Sequence, residues 1–313
     1  MYKPLMLKIY QQTLNKTVTF KGIGLHSGKI SSVKILPGQS DKGIVFKRID
    51  LKKNNEIKAN FKFVVQGKLC TTLENDYGVK VSTVEHLLAA FYISEIDNAI
   101  VEIDNEEVPI MDGSSRDFIK LLEDAGLKQL NRKRRYLKII EKTEFEDHGK
   151  YISIQESKND FEVGFQLSYK NKLIGNQKNM INFSKDNLDS IYQSRTFCLF
   201  EDIEKIKKLG LAKGGSLDNA VVIKDEQILN ENGLRNKKEF VNHKILDLSG
   251  DFFLSGFRIL GKVNCFQGGH QLSNIFLRKL FNNKSSFKVI QLDEILVPNK
   301  NIVFKPVKAA VNA

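Results

Sequence analysis

The residues of this sequence best suited to chemistry are two short groups of histidine and acidic side chains. His243 and Asp247 stand four residues apart in VNHKILDLSGDFF, so a helix would place an imidazole and a carboxylate on one face, about one turn apart. Glu85 and His86 are adjacent in STVEHLLAAF, where a carboxylate beside a metal-binding histidine could take a proton from an attacking water. Two histidines, one carboxylate and an open fourth position form a known donor set of catalytic zinc ions. The two groups together could therefore supply a zinc site and its base.

Each group also has an ordinary structural explanation. His–Asp pairs at this spacing are common on helix surfaces, where they serve only as ion pairs. Ser82 would be the N-cap of the helix that contains Glu85, and Glu85 three residues later would complete a capping box. Asp251, one turn beyond Asp247, favours chemistry, because its helix is otherwise largely apolar and a buried carboxylate needs a partner. The residues alone leave these explanations open.

The other histidines carry weaker signals. His270 follows two glycines in FQGGHQLSN, which predicts a side chain projecting from a loop, more often at the surface than in a site. His26, in KGIGLHSGK, is predicted to lie in a glycine-rich turn between strands, because neither the spacing nor a following helix fits a phosphate-binding loop. His148, in EDHGK, is typical of a hairpin turn and is assigned no role.

Composition favours a globular protein of two domains. The chain has 313 residues, 41% of them hydrophobic, and no apolar run of the length that a membrane helix needs. The N-terminal segment lacks the apolar core of a secretory signal, so we expect a cytoplasmic protein. Cys70, Cys198 and Cys265 are far apart and odd in number, which argues against a disulfide framework or a cysteine zinc cluster. We expect each to be a small buried side chain, with Cys70 able to approach a site.

The net charge of +12 raises the question of an anionic partner. The lysines are spread along the chain, and the compact basic run RKRR at 132–135 has no interleaved aromatic residues. We therefore expect no nucleic-acid binding. A basic surface would suit a phosphate-bearing substrate and transient proximity to an anionic membrane.

Apolar periodicity predicts an α+β fold made of two related halves, each with a helix layer packed on a β-sheet. The predicted strands are 16–20, 32–36, 43–47, 99–103, 136–140, 151–154, 161–167 and 258–263. The predicted helices begin near 83 and span 116–125, 186–193 and 240–254. The polar stretch 128–135 is interpreted as a linker. We therefore predict domains at 1–130 and 131–300, with small inserts, an active site at their interface, and a loosely attached tail at 301–313.

Seven motifs, in order along nearly the whole chain, closely resemble the UDP-3-O-acyl-N-acetylglucosamine deacetylase family, the zinc enzymes of bacterial lipid A synthesis. They are GIGLHSG at 22–28, STVEHLLAAF at 82–91, IDNAIVEIDNEEVPIMDGSS at 96–115, SRTF at 194–197, LAKGGSLDNAVV at 211–222, HKILDLSGD at 243–251 and GGH at 268–270. The resemblance implies hydrolysis of the acetamide of UDP-3-O-(3-hydroxyacyl)-N-acetylglucosamine, the committed step of that synthesis.

Site residues follow from this resemblance position by position. It implies that His86, His243 and Asp247 bind Zn²⁺. It implies further roles for five residues: Glu85 as general base, His270 as general acid, Thr196 as oxyanion support, Asp251 as the carboxylate that orients His270, and Lys244 as a lining residue. The candidates for contact with the acyl chain, in the insert near 196–222, are Phe197, Phe200, Ile203, Ala212, Gly215 and Leu217. One departure is that relatives commonly have a His-Pro pair before the Gln of the segment matching 169–177, whereas YKNKLIGNQ has neither.

Two other functions remain open at this point. The first is a zinc amidase acting on a different acylated amino sugar, which a panel of acyl-chain lengths would distinguish. The second is a non-catalytic module that uses the lysine excess to bind nucleic acid or a lipid surface, which salt-sensitive binding without metal would favour. We expect a monomer whose partner is a UDP-linked acylated glucosamine.

Overall fold

A computed structural model describes residues 7–67 and 69–292 and, as backbone, a strand at 304–306. Its fold is α+β, as predicted. The strands are β1 Tyr10–Leu14, β2 Val18–Ile23, β3 Ile30–Pro37, β4 Ile44–Arg48, β5 Glu56–Lys58, β6 Val64–Val65, β7 Thr72–Glu74, β8 Lys80–Ser82, β9 Ala99–Ile103, β10 Leu127–Lys133, β11 Arg135–Ile139, β12 Thr143–Asp147, β13 Lys150–Gln155, β14 Phe161–Ser168, β15 Asn176–Asn182, β16 Phe197–Leu199, β17 Val221–Lys224, β18 Gln227–Ile228, β19 Arg258–Phe266, β20 Phe287–Leu292 and β21 Phe304–Pro306. The helices are α1 Glu85–Ile93, α2 Arg116–Ala125, α3 Asp189–Tyr192, α4 Phe200–Lys208, α5 Glu239–Phe253 and α6 His270–Asn282, with 3₁₀ turns at Phe61–Phe63 and Lys284–Ser286.

The first half is organised around a five-stranded sheet in the order β2-β3-β9-β4-β5. Its strands show the period-two burial expected of a sheet with one covered face; in β3, for example, Ser31, Val33 and Ile35 are buried and their neighbours are not. Helix α2 packs against α1 and contacts β2. Every residue of α1 is buried, which fits its apolar sequence EHLLAAFYI and makes it an interior helix rather than a surface one.

The second half is organised around the sheet β12-β13-β19-β11-β20-β21, which is extended by β14, paired with β19, and by β15, paired with β14. Helix α5 packs against α1, α3, α6 and β14, and nearly all of its residues are buried. Its polar residues His243, Asp247 and Asp251 recur every four positions and so share one face.

Helices α1 and α5 cross at a glycine. A Cβ atom on Gly250 would lie 2.1 Å from the carbonyl oxygen of Glu85, far inside any ordinary contact. Only glycine allows this approach, and the approach brings the polar residues of α5 beside the first turn of α1. The crossing therefore positions both groups of candidate residues.

Several sequence predictions are wrong in detail. The predicted linker is largely strand β10, which pairs with β1, and Arg134 after it is buried in ion pairs with Glu95 and Asp97. Because most residues of β10 are exposed, backbone pairing rather than apolar burial holds this polar strand. The helix predicted at 186–193 is only the four residues of α3. The main-chain N–H of Asp189 bonds Asn187 Oδ1, which holds the preceding residues in a turn.

The ends of other elements shift slightly. Helix α1 begins at Glu85 and not at 83, because Thr83 adopts a left-handed conformation with φ of 56°. Of the predicted tail, 304–306 forms strand β21 on β20, and the rest lies outside the described residues. The division into domains at residue 130 stays a prediction. None of the helices in the described part of the chain combines the length and apolarity needed to cross a membrane.

Candidate active site

The three predicted metal ligands converge beside the crossing of α1 and α5. His86 Nε2 and His243 Nε2 each lie 3.3 Å from the same oxygen of Asp247, Oδ1. The two imidazole rings meet edge to face with their centroids 5.0 Å apart. One ligand atom from each residue lies within 4.8 Å of the others, and all three side chains are buried. The cluster could hold a metal ion.

The hydrogen bonding of these side chains fits a bound cation. His243 Nδ1 is 3.0 Å from the Ser194 carbonyl oxygen, which favours the tautomer that leaves the Nε2 lone pair facing Asp247. Burial lowers the pKa of His243 to about 3, so the ring is neutral at physiological pH. Asp247 Oδ1 is buried without a hydrogen-bond donor. A bare carboxylate oxygen between two imidazole nitrogens is unfavourable unless a cation lies among them.

Lys244 lies beside this cluster on the cavity wall. Its ammonium is 2.7 Å from the other oxygen of Asp247, Oδ2. Burial opposes ionisation of Asp247, but the neighbouring Lys244 ammonium helps to hold the pKa of this carboxyl well below its usual range. Burial also opposes the charge of Lys244, and Asp247 nevertheless raises the lysine pKa. The carboxylate therefore stays ionised and available as a ligand.

A second group of side chains, suited to proton transfer, adjoins the ligands. His270 Nδ1 is 3.0 Å from Asp251 Oδ2, and its Nε2 is 3.6 Å from Glu85 Oε1. Burial alone would lower the pKa of His270, but the carboxylates of Asp251 and Glu85 raise it to about 10, so the ring is protonated near neutrality. Burial raises the pKa of Glu85, against the opposing influence of His270 and His86, which makes it a stronger base. An acid and a base thus stand side by side.

Thr71 connects the carboxylates of Glu85 and Asp251, a contact that no sequence motif indicates. Its main-chain N–H donates to Glu85 Oε2 at 3.1 Å, and its hydroxyl donates to Asp251 Oδ1 at 2.6 Å. One residue thereby fixes both Glu85 and Asp251, the carboxylate behind His270. Because the contact joins residues 14 and 180 positions away, no local pattern could have predicted it.

The capping-box explanation of Glu85 is wrong. Helix α1 begins at Glu85 itself, with Val84 at the N-cap position and no side chain capping the helix. The hydroxyl of Ser82 instead donates to the carbonyl oxygen of Glu106. The Glu85 carboxylate therefore does not cap helix α1 and instead lines the cavity. His270 is not in a loop as expected but is the first residue of α6.

The three candidate ligands, together with Glu85 and His270, line one cavity of about 560 Å³. Asp251 lies behind His270 and does not line it. Each predicted acyl-chain contact lines this same cavity, together with Thr196: Phe197, Phe200, Ile203, Ala212, Gly215 and Leu217. Phe197 packs on Phe240 and on His243, with ring centroids 4.9 and 6.3 Å away, and so connects the apolar wall of the cavity to the candidate ligand His243.

The segment that departs from the family pattern reaches this cavity as well. Residues 169–175 connect β14 to β15, and Tyr169 lines the cavity with its ring 5.9 Å from that of Phe197. Cys198 is another lining residue and is only half-buried, contrary to expectation. Cys70 and Cys265 are buried free thiols, as predicted, and Cys70 lines a smaller cavity that His270 also borders.

His26 is the functional candidate that sequence reasoning missed. The predicted turn is confirmed, but His26 is buried and lines the same cavity as Glu85 and His270. Neither of its ring nitrogens has a hydrogen-bond partner, and burial lowers its pKa. The turn is held by Glu107, which accepts from the main-chain N–H of His26 at 2.8 Å. In the sequence, only the turn motif within the family resemblance could have indicated a role for His26. His148, by contrast, is exposed at its hairpin turn.

Fold and site together define an α+β protein with a buried centre of two histidines and one carboxylate that opens on an apolar cavity. The model of the UDP-3-O-acyl N-acetylglycosamine deacetylase family matches residues 11–282, and the chain belongs to this family. Three curated relatives are named UDP-3-O-acyl-N-acetylglucosamine deacetylase. The protein of Haemophilus ducreyi is 38% identical over 91% of this chain and 94% of its own length. That of Pseudoalteromonas translucida is 41% identical over 90% and 93%, and that of Legionella pneumophila 36% identical over 96% and 100%.

Proposed function

We propose that this chain is a zinc-dependent deacetylase that hydrolyses the acetamide of UDP-3-O-(3-hydroxyacyl)-N-acetylglucosamine to the free amine and acetate. The observation that carries the proposal is the convergence of His86, His243 and Asp247 next to Glu85 and His270. A zinc ion held by those three ligands would polarise the amide carbonyl and lower the pKa of water. Family membership and the names of the relatives support the same reaction.

The chain's own residues would move the protons. Glu85, fixed by Thr71 and made more basic by burial, would accept the proton of the attacking water. Thr196 would donate to the oxyanion that develops at the carbonyl carbon, a contribution of about 3 kcal/mol for a preorganised donor. His270, kept protonated by Asp251, would donate to the nitrogen as the C–N bond breaks, because an amide nitrogen leaves poorly without a proton. The products are the amine and acetate.

The cavity supports an acylated substrate. Its apolar walls, from Phe197 and Phe200 to Leu217, suit an acyl chain, whereas the polar ligands at the same cavity suit the amide. The net charge of +12 would attract the two phosphates of a UDP group. A zinc amidase on another acylated amino sugar differs from this proposal only in substrate.

The test combines metal content with substrate turnover. We expect about one zinc per chain by elemental analysis, loss of deacetylation of the UDP-acyl-glucosamine on chelation, and recovery on adding zinc. A panel of substrates that differ in acyl length, or lack UDP, separates this reaction from that of a general amidase. Full turnover by demonstrably zinc-free protein would refute the mechanism. Zinc-dependent activity on simpler acylated amino sugars alone would favour the alternative substrate.

A further inference from the structure

A buried ion pair outside the cavity joins the start of α5 to the segment Ser194–Thr196. Arg195 Nε and Nη2 donate to Glu239 Oε1 and Oε2 at 2.8 and 3.2 Å. The Glu239 side chain is completely buried and that of Arg195 is 8% exposed. Such a pair is costly to bury, so its two partners must be held in good geometry. No proposed chemical step uses either residue.

The same carboxylate holds the backbone as well as the side chain. The main-chain N–H of Arg195 donates to Glu239 Oε1 at 3.1 Å, and that of Arg235 donates to Oε2 at 2.6 Å. Arg195 Nη2 also donates to the carbonyl oxygen of Gly233 at 2.7 Å. Glu239 therefore fixes the main chain at residue 195 relative to the first turn of α5.

Both neighbours of Arg195 reach the candidate site. The carbonyl oxygen of Ser194 lies 3.0 Å from His243 Nδ1, and Thr196 lines the cavity. Thr196 is further held by its main chain, whose N–H donates to Gly113 and whose carbonyl accepts from Val221, both at 2.8 Å. His243 stands one helical turn after Glu239 in α5. The ion pair therefore connects the helix that carries His243 to the segment whose Ser194 carbonyl oxygen contacts His243 Nδ1.

We propose that Arg195 and Glu239 are positioning residues that set the orientation of His243 and the place of the Thr196 hydroxyl. The bond from Nδ1 to a carbonyl fixes which nitrogen of a histidine faces a metal, and it acts only if the carbonyl is itself immobile. The ion pair immobilises that carbonyl from one residue away. This inference rests on the proposed function, since it assigns the pair a task in zinc binding and turnover.

The alternative is that the pair serves stability alone, and a matched pair elsewhere separates the two. Asp97 forms an ion pair with the buried Arg134, at 2.8 Å, and, although its own side chain is 12% exposed, it does not line the cavity. Glu239→Gln and Asp97→Asn each replace one carboxylate by an amide of the same shape. The double variant Arg195→Met, Glu239→Met removes both charges at once and so leaves no unpaired buried charge behind.

The experiment measures the zinc dissociation constant by chelator competition, kcat and KM for the UDP-acyl-glucosamine, and the thermal midpoint. We expect Glu239→Gln to weaken zinc binding and lower kcat about 10- to 100-fold each, as for other residues that orient metal ligands, with KM changed less than about threefold. The double variant should stay folded and show the same losses. Asp97→Asn should lower the thermal midpoint while keeping the zinc affinity and kcat of the natural chain.

The outcomes distinguish this inference from the proposed function. If the natural chain neither binds zinc nor hydrolyses the substrate, the proposed function fails. If it does both and the folded double variant matches it in zinc affinity and kcat, the positioning role is refuted. The same conclusion follows if Asp97→Asn loses zinc affinity and kcat as much as Glu239→Gln, or if both Glu239 variants are unfolded while Asp97→Asn is folded and active, because the pair then serves folding.

Discussion

The crossing of α1 and α5 at Gly250 makes one substitution especially informative. In Gly250→Ala the added Cβ would lie 2.1 Å from the carbonyl oxygen of Glu85, where contacts under 3.0 Å are essentially never seen. Relief requires the helices to separate by at least ~0.9 Å, whereas metal sites tolerate departures of only about 0.2 Å in ligand distance. Of the proposed ligands, His86 is on one helix, and His243 and Asp247 are on the other. The separation would therefore spoil the cluster as well as strain the core.

We expect two separable consequences of Gly250→Ala. Overpacking should lower the free energy of unfolding by about 1–3 kcal/mol. Zinc affinity and kcat should each fall by about 100-fold, the order of loss for a displacement near 1 Å, which is roughly 2.7 kcal/mol in binding free energy. Elemental analysis after dialysis, chelator competition and turnover under saturating substrate measure the second effect, and urea unfolding measures the first.

Gly269→Ala is the matched control, because it adds the same methyl group directly before His270 where no atom lies within 4 Å. The backbone at Gly269 is extended, so alanine adopts it without strain. This variant should keep its zinc and most of its activity. Normal zinc affinity in Gly250→Ala, at an unfolding free energy equal to that of the natural chain, would show that the helices can separate without cost and would refute the reasoning.

Three other predictions concern the cavity. Glu85→Gln should keep its zinc and lose turnover by about 10²- to 10⁴-fold, as expected for a general base; turnover intact with a lowered thermal midpoint would mean that Glu85 is only structural. Asp251→Asn removes the carboxylate that most raises the His270 pKa, so the pH above which kcat declines, as His270 loses its proton, should move to lower pH; an unchanged pH–rate profile would exclude His270 as the acid. Ile203→Ala should raise KM about tenfold for long acyl chains and leave KM for short ones and kcat unchanged, because a few methylenes of apolar contact are lost; equal effects on both substrates would place the acyl chain elsewhere.

Local sequence was sufficient to predict those strands and helices whose apolar or polar residues recur at a short, regular spacing. The alternation of β3 and β14 and the helical spacing of His243 and Asp247 led to elements close to those found. Strand β10 escaped detection because its exposed polar residues carry no apolar alternation. Helix α6 was missed because two glycines before His270 suggested a loop, although the second of them is the N-cap.

The candidate site was only half visible in local sequence, because its parts come from distant segments. Nothing near His86 indicates that its helix lies against α5, and the contact of Thr71 with Asp251 spans most of the chain. The resemblance supplied the grouping that spacing could not, including His270. Even so, His26 was passed over, since a turn histidine shows its burial and its unpartnered nitrogens only in three dimensions.

The division of the proposed metal ligands between α1 and α5 would also link metal supply to the folding of the chain. His86 and His243 are roughly 150 residues apart, so their nitrogens meet only when α1 and α5 have docked, a contact of the large sequence separation that slows folding. A metal that binds only this assembled state stabilises it by about 2.7 kcal/mol at a free concentration one hundred times its dissociation constant. Zinc-starved protein would then open more often and be digested sooner by proteases. The rate at which the protein is degraded in a cell would then depend on the supply of zinc as well as on the demand for its product.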